Sequence, residues 1–251
     1  MPQFKLSIDM PPQTKPEDKV GGLPWGLSAE RYPVCRECGK SQSLLIQLVH
    51  HPERLDLGRP GRTLFVFQCN HDPGLCETWE GASGSNACFI LEPEELVEQM
   101  APLPQDNPSL EVEAHIIEWE TYDDGIPAEK VTPNGDCCDL TDEELDAIYA
   151  QHSSHGGIRL GGLPDWVQDP SEAPRPGWKF IGQLFGQYKL AEEPSIEAQQ
   201  SYMDETGYIC NQRPDGQWGF LGPNLGDAGR GYIFVRLQAA KPEGWFFWQC
   251  A

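Results

Sequence analysis

Apolar residues in this chain come in short, dense runs separated by turns rich in glycine and proline. Leu44–Val49 and Thr63–Gln68 are apolar at nearly every position and rich in branched and aromatic side chains. That pattern predicts strands buried on both faces. Ala87–Leu91 predicts a further short strand, and Phe4–Ile8 marks one inside an otherwise polar, proline-containing start. Leu110, Val112, Ala114 and Ile116 alternate with Glu111, Glu113 and His115, as in a strand wet on one side, running to Trp119. Two stretches carry helical spacing. Pro93–Met100 has proline at the first position and Leu96, Val97 and Met100 on one face. Leu140–Gln151 opens with Thr141 and Glu144 spaced as a capping box and Leu140 and Leu145 as a hydrophobic staple, with Leu145, Ile148 and Tyr149 on its buried side.

The pattern also repeats. Arg159-Leu160-Gly161-Gly162-Leu163-Pro164-Asp165-Trp166 echoes Val20-Gly21-Gly22-Leu23-Pro24-Trp25. Phe180–Leu184 echoes Leu44–Leu48, and Gly231–Val235 echoes Thr63–Phe67, in the same order. Ordered repetition of this kind predicts two related halves. The expected fold is therefore mainly β (α+β): two β-rich halves from an internal duplication, with a few short helices, in one compact unit. Its expected divisions are a flexible arm over 1–18, a first half over 19–91, an acidic connecting segment over 92–157 and a second half over 158–251.

Composition narrows the function. Lys and Arg number 18 against 39 Asp and Glu, a net charge of −21. Between Glu92 and Asp146 lie 18 acidic residues and one basic residue, Lys130, so this segment carries 17 of those negative charges. Phosphate contacts need Lys and Arg, so nucleic acid is excluded as an expected partner, and a basic protein or peptide is favoured. No apolar run reaches membrane-span length. The first 19 residues lack the basic start and apolar middle of a signal peptide, which predicts a cytoplasmic, reducing setting. Nine cysteines, an odd number, then point to metal binding or free thiols rather than a disulfide framework.

The cysteines have a pattern of their own. Cys35-Arg36-Glu37-Cys38-Gly39 precedes the first dense run, and Cys69 closes the second, with Cys76 seven residues on. A Cys-x-x-Cys turn aims two sulfurs at one ion, and this pair together with the wider Cys69/Cys76 pair at strand ends predicts a tetrahedral structural zinc on Cys35, Cys38, Cys69 and Cys76. His71 is the alternative to Cys76 as fourth ligand. At the position of the first pair the second half carries Pro174-Arg175-Pro176-Gly177-Trp178, a rigid turn without ligands. A metal that one copy can lack holds a hairpin shut rather than performing catalysis.

Gly21-Gly22-Leu23-Pro24-Trp25, Cys35-x-x-Cys38, Leu45–Leu48 and Arg62–Phe67 with Cys69 together resemble the N-terminal half of the programmed cell death protein 2 family. Gly161–Pro164, Ile181–Leu184 and Gly226-Asp227-Ala228-Gly229 before Tyr232-Ile233-Phe234 resemble the related, bacterial YwqG-like family. The resemblance implies a duplicated, mainly β domain without enzymatic activity, with zinc on the same four cysteines. It implies a chaperone-like grip on a basic ribosomal protein in the eukaryotic relatives. For the bacterial ones it implies no settled activity, with an immunity-like role against toxins as one idea.

Enzymatic signatures are sparse. The chain contains neither the Gly-x-Ser-x-Gly elbow of hydrolases nor a phosphate-binding loop ending in Gly-Lys. Cys137 and Cys138 with His152 and His155 form the one alternative constellation, a metal- or thiol-dependent hydrolase or reductase. Cys88, Cys210 and Cys250 sit in apolar runs, as core thiols do, and Trp25, Trp166, Trp178 and Trp218 beside glycines suit core plugs or a peptide groove. For the partner surface the expected centre is Glu118, Trp119, Glu120, Tyr122, Asp123 and Asp124. There an aromatic ring can stack an arginine while carboxylates hold its edge.

Overall fold

A computed structural model describes residues 2–72, 75–121, 123, 130, 140–144, 146–147, 158–168, 173–174, 176–185, 187–199, 210–212 and 218–251. The dense runs are strands, as their pattern predicts. β1 (Pro2–Leu6), β2 (Lys19–Val20), β3 (Ser43–Val49), β4 (Thr63–Gln68), β5 (Asn86–Leu91) and β6 (Ala114–Trp119) form one part of a single sheet. β7 (Arg159–Leu160), β8 (Lys179–Phe185), β12 (Arg230–Arg236) and β13 (Glu243–Gln249) complete it. The order of the ten strands is β1-β6-β2-β3-β4-β5-β13-β12-β8-β7, with antiparallel neighbours. A separate small sheet has the order β10-β11-β9, from Cys210–Gln212, Trp218–Leu221 and Gln187–Lys189. Among the described residues α-helix is confined to 142–144, 146–147 and 196–199, beside short 3-10 turns such as Ser7–Asp9 and Ala29–Arg31.

The sheet curls until it is nearly a closed barrel. Phe4 in β1 makes a parallel bridge with Leu190, and the Ala191 N–H donates to the Phe4 carbonyl at 2.9 Å. The interior takes one face of each long strand: Phe4, Leu6, Ile46, Leu48, Leu64, Val66, Ile233, Val235 and Phe246 pack there with almost no exposure. The outer faces are covered too. Leu44, Phe65, Phe67 and Leu91 meet Leu27 and Ala101 from the loops, and Phe180, Tyr232, Phe234 and Phe247 gather with Trp166, Trp178 and Trp245. Double coverage is why β3 and β4 lack a polar face.

Two regions share local geometry. In β2–β3–β4 the register shifts beside Leu45, whose carbonyl takes the Gly21 N–H at 3.2 Å. In β7–β8–β12 it shifts beside Ile181, whose carbonyl takes the Gly161 N–H at 2.8 Å. Buried Gln47 accepts the Trp25 N–H through Oε1, and buried Gln183 accepts the Asp165 N–H, each at 2.9 Å. Lys19 donates to the Leu23 carbonyl and Arg159 to the Leu163 carbonyl.

Several elements differ from the expectation. Pro93–Met100 is not a helix: a 3-10 turn over Pro93–Glu95, capped by Glu92 and Glu95, is followed by extended chain. The Val97 and Ala101 N–H groups donate to the Gly26 and Pro24 carbonyls, so this backbone bonds to a neighbouring loop instead of to itself. The alternating strand begins at Ala114 rather than Leu110, because the Glu111 carbonyl takes the Gly22 N–H outside any ladder. The strand near Phe4–Ile8 is β1, paired to β6 with Phe4 and Leu6 fully buried, so this part of the arm lies in the sheet. The capping box at Thr141 forms as expected: the Glu144 N–H donates to Thr141 Oγ1 and the Thr141 N–H to Glu144 Oε2. Leu145, Ile148 and Tyr149 lie outside the described residues.

Candidate metal centre

Two loops of the first region bring its cysteines together at the end of the β3–β4 hairpin. The first loop is pinched by a Val34–Ser41 bridge, with the Cys35 N–H donating to Lys40 O at 2.8 Å and the Gly39 N–H to Cys35 O at 2.9 Å. Gly39 closes this turn at φ 71°, a left-handed conformation that glycine adopts without strain. Cys69 follows the last ladder residue of β4 and donates its N–H to Ser85 O at 2.8 Å. Cys76 sits in a turn closed by its N–H on Asp72 O at 3.1 Å. The Glu37 carboxylate ties the two loops, accepting the Glu77 N–H at 3.0 Å and the Ser85 hydroxyl at 2.6 Å.

The sulfurs of Cys35, Cys38, Cys69 and Cys76 all lie within 4.8 Å of one another. Cys38 and Cys69 are 3.6 Å apart, too far for a disulfide, and all four cysteines are free. A tetrahedral zinc with bonds of about 2.3 Å sets its sulfurs about 3.8 Å apart, so the cluster fits that ion with small adjustments. Cys35, Cys69 and Cys76 are buried and Cys38 half-buried, which leaves no open face for a substrate. His71 is exposed, and its ring is not part of the cluster; its main-chain N–H meets Cys69 instead.

Electrostatics divide the cluster. Burial opposes a Cys35 thiolate, but the N–H groups of Cys38 and Glu37 and the Ser85 hydroxyl outweigh it and bring this thiol down to about 7. Burial pushes Cys69 up to about 11 and Cys76 higher still. Four crowded sulfurs in an enclosed site cannot all ionise without a cation, and a divalent metal supplies that charge while displacing their protons. The N–H groups on Cys35 and Cys69 then act as the outer layer that orients the ligands.

The other anticipated residues fare differently. Cys137, Cys138, His152 and His155 lie outside the described residues, as do Tyr122 and Asp124. Glu118 and Asp123 are exposed, Trp119 half-buried and Glu120 exposed at the end of β6. Trp119 already carries an arginine of its own chain: the Arg54 guanidinium lies 5.4 Å from its ring centroid. Glu120 is engaged by Gln3 and by Lys189 at 3.9 Å. Trp25 is a core plug, Trp166 and Trp178 belong to the aromatic cluster, and Cys88 and Cys250 are half-buried. The Cys210 and Trp218 side chains lie outside what is described.

A cleft of about 750 Å³ was not foreseen. It lies between segment 10–18, the turn after β3 and β6, and it holds a His115–Glu17 pair at 3.3 Å. Its residues come from three separate stretches, so no local motif announces it. Among the described residues no helix is long and apolar enough to cross a membrane. The chain matches no protein-family model and no curated protein.

Proposed function

We propose that the chain is a non-catalytic binding module, chaperone-like or immunity-like, with one structural zinc on Cys35, Cys38, Cys69 and Cys76 and a preference for a basic protein partner. The convergence of four enclosed sulfurs carries the zinc assignment. An ion with four thiolates and no free position suits a structural rather than a catalytic role. The excess of 39 acidic over 18 basic residues supports a cationic partner and disfavours nucleic acid. The resemblance to the YwqG-like and programmed cell death protein 2 families belongs to this proposal. So does an origin of the two regions by duplication, which the matched shifts at Leu45 and Ile181 support.

Metal analysis of the purified protein tests the zinc. About one zinc per chain is expected, falling towards none in Cys35→Ser and Cys69→Ser. A stable, metal-free native protein overturns it. Capture of partners on immobilised protein at low and moderate salt tests the second part. Recovery of acidic or nucleic-acid partners alone overturns the basic preference.

A further inference from the structure

The cleft beside β6 contains a worked example of guanidinium recognition. Asp18 is nearly buried, and its Oδ1 accepts the Val49 N–H at 2.7 Å. Its Oδ2 accepts both the Trp119 indole N–H at 2.9 Å and Arg54 at 2.5 Å. Arg54 thus lies over the Trp119 ring with its edge on a fixed carboxylate, as a planar cation prefers. The fit is incomplete: Arg54 Nε is buried without a hydrogen bond. Exposed Glu53 and Glu118 line the same cleft and make no ion pair among the described residues. Among the described residues that line the cleft, four carboxylates, with Glu17 and Asp18, face Lys15 and Arg54 as the lysine and arginine cations.

We infer that this cleft binds an arginine-bearing peptide segment, with Trp119 as stacking platform and Glu53 and Glu118 as carboxylate partners, and that Arg54 is an internal competitor for the same platform. The inference rests on the basic-partner function proposed above and narrows it to one site and one side-chain type. Arginine is favoured over lysine because a flat guanidinium stacks on an indole and donates from its edge at once, whereas an ammonium is a compact, strongly hydrated point charge. The cleft volume of about 750 Å³ admits an extended segment with its side chains. The turn that carries Arg54 is short, closed by paired hydrogen bonds between His51 and Leu55 at 2.9 and 3.0 Å. Release of Arg54 breaks its ion pair with Asp18 and its stacking on Trp119 but leaves the backbone bonds of this turn in place.

Calorimetric titration with a short amidated peptide of alternating glycine and arginine, and with its lysine twin, tests the site. The wild-type chain should bind the arginine peptide more tightly than the lysine twin. Arg54→Ala should bind it about tenfold tighter, because a self-occupied site loses apparent affinity in proportion to its free fraction. Arg54→Gln should act in the same direction if the alanine variant fails to fold. Glu53→Gln with Glu118→Gln, both at exposed positions, should weaken binding about tenfold. Glu192→Gln, outside the cleft, should change nothing. If the arginine peptide binds but ignores the cleft substitutions, with melting and circular dichroism unchanged, the cleft assignment fails while the basic-partner function stands. If neither peptide binds any folded variant, both fail together.

Discussion

The strands β2–β3–β4–β5 and β7–β8–β12–β13 are ordered as mirror sequences across the β5–β13 seam, and the mouths of the β3–β4 hairpin and of the β8–β12 pair are lined by different chemistry. In the first region Ser43 pairs with Gln68 at the mouth, and the loops beyond carry the four cysteines. In the second, Lys179 pairs with Val235, and the residues just beyond are Trp178 and Arg236. Arg236 lies 5.0 Å from the Trp178 ring, pairs with Glu243, and Trp178 meets Trp245 edge-on at 6.0 Å. One mouth gathers four thiols that could hold a metal ion, and the other is packed by aromatic and cation–π contacts. Thiols confined at mutual distances within 4.8 Å gain little from one another without an ion, so under the zinc proposal the first mouth would depend on metal supply. The second draws on contacts that are always present.

The largest expected effect separates the two mouths. Cys69→Ser, or treatment with a strong zinc chelator, should destabilise the chain by about 4 kcal/mol or more, as loss of a structural metal does. Trp178→Ala should cost about 2 kcal/mol, since this ring is only half-buried, and should leave the metal in place. Thermal melting with metal analysis on both variants checks the pair. Equal losses with no metal change would erase the distinction.

A second contrast concerns the glycine turns. Gly21 and Gly161 have φ of 61° and 72°, so alanine is strained at both. At Gly21 an added Cβ would stand 2.1 Å from the Val112 carbonyl oxygen, whereas at Gly161 it would meet nothing within 4 Å. Gly161→Ala should therefore cost about 1–2 kcal/mol, the left-handed strain alone. Gly21→Ala should cost clearly more, because backbone must move. Denaturant unfolding of the two variants measures the difference, and equal midpoints would show that the Glu111–Val112 backbone does not press on the first turn.

The buried glutamines offer a smaller contrast. Gln47→Leu strands the Trp25 N–H and also the Glu17 carbonyl, which Gln47 Nε2 reaches at 3.2 Å. Gln183→Leu strands the Asp165 N–H. Each stranded buried group costs about 1–3 kcal/mol, so the first substitution should be the more damaging of the two in the same unfolding assay.

The smallest effect depends on pH. Glu111, which accepts Asn70 Nδ2 at 2.6 Å, has its carboxyl raised from the ordinary 4.5, mainly by burial. A carboxyl raised in the folded state favours folding in its protonated form. Its penalty is absent below 4.5, where the unfolded chain is protonated too, and grows as pH rises through the folded value. Glu111→Gln keeps the acceptor and removes the charge. It should raise the melting temperature at neutral pH and leave it unchanged in acid; a loss at neutral pH would mean that the charge is stabilised by groups other than Asn70.

The sequence by itself determined the local chemistry of this protein. Dense runs of branched and aromatic residues became β3, β4, β8 and β12, because residues of that kind must be covered on both faces. Thr141 and Glu144 formed their reciprocal cap because its hydrogen bonds close within four residues. The Cys-x-x-Cys spacing announced two members of the thiol cluster, since one tight turn suffices to aim them together. Tertiary structure decided everything that depends on distant segments. Only folding inserts β6 between β1 and β2, brings Cys69 and Cys76 to Cys35 and Cys38, and diverts the Val97 and Ala101 N–H groups from a helix to a loop. Only folding lays Arg54 on Trp119 against Asp18, residues drawn from three stretches with no shared motif. Backbone donors and charged groups take whichever partner the packed chain presents, and the energy of that choice resides in contacts that no local pattern of residues encodes.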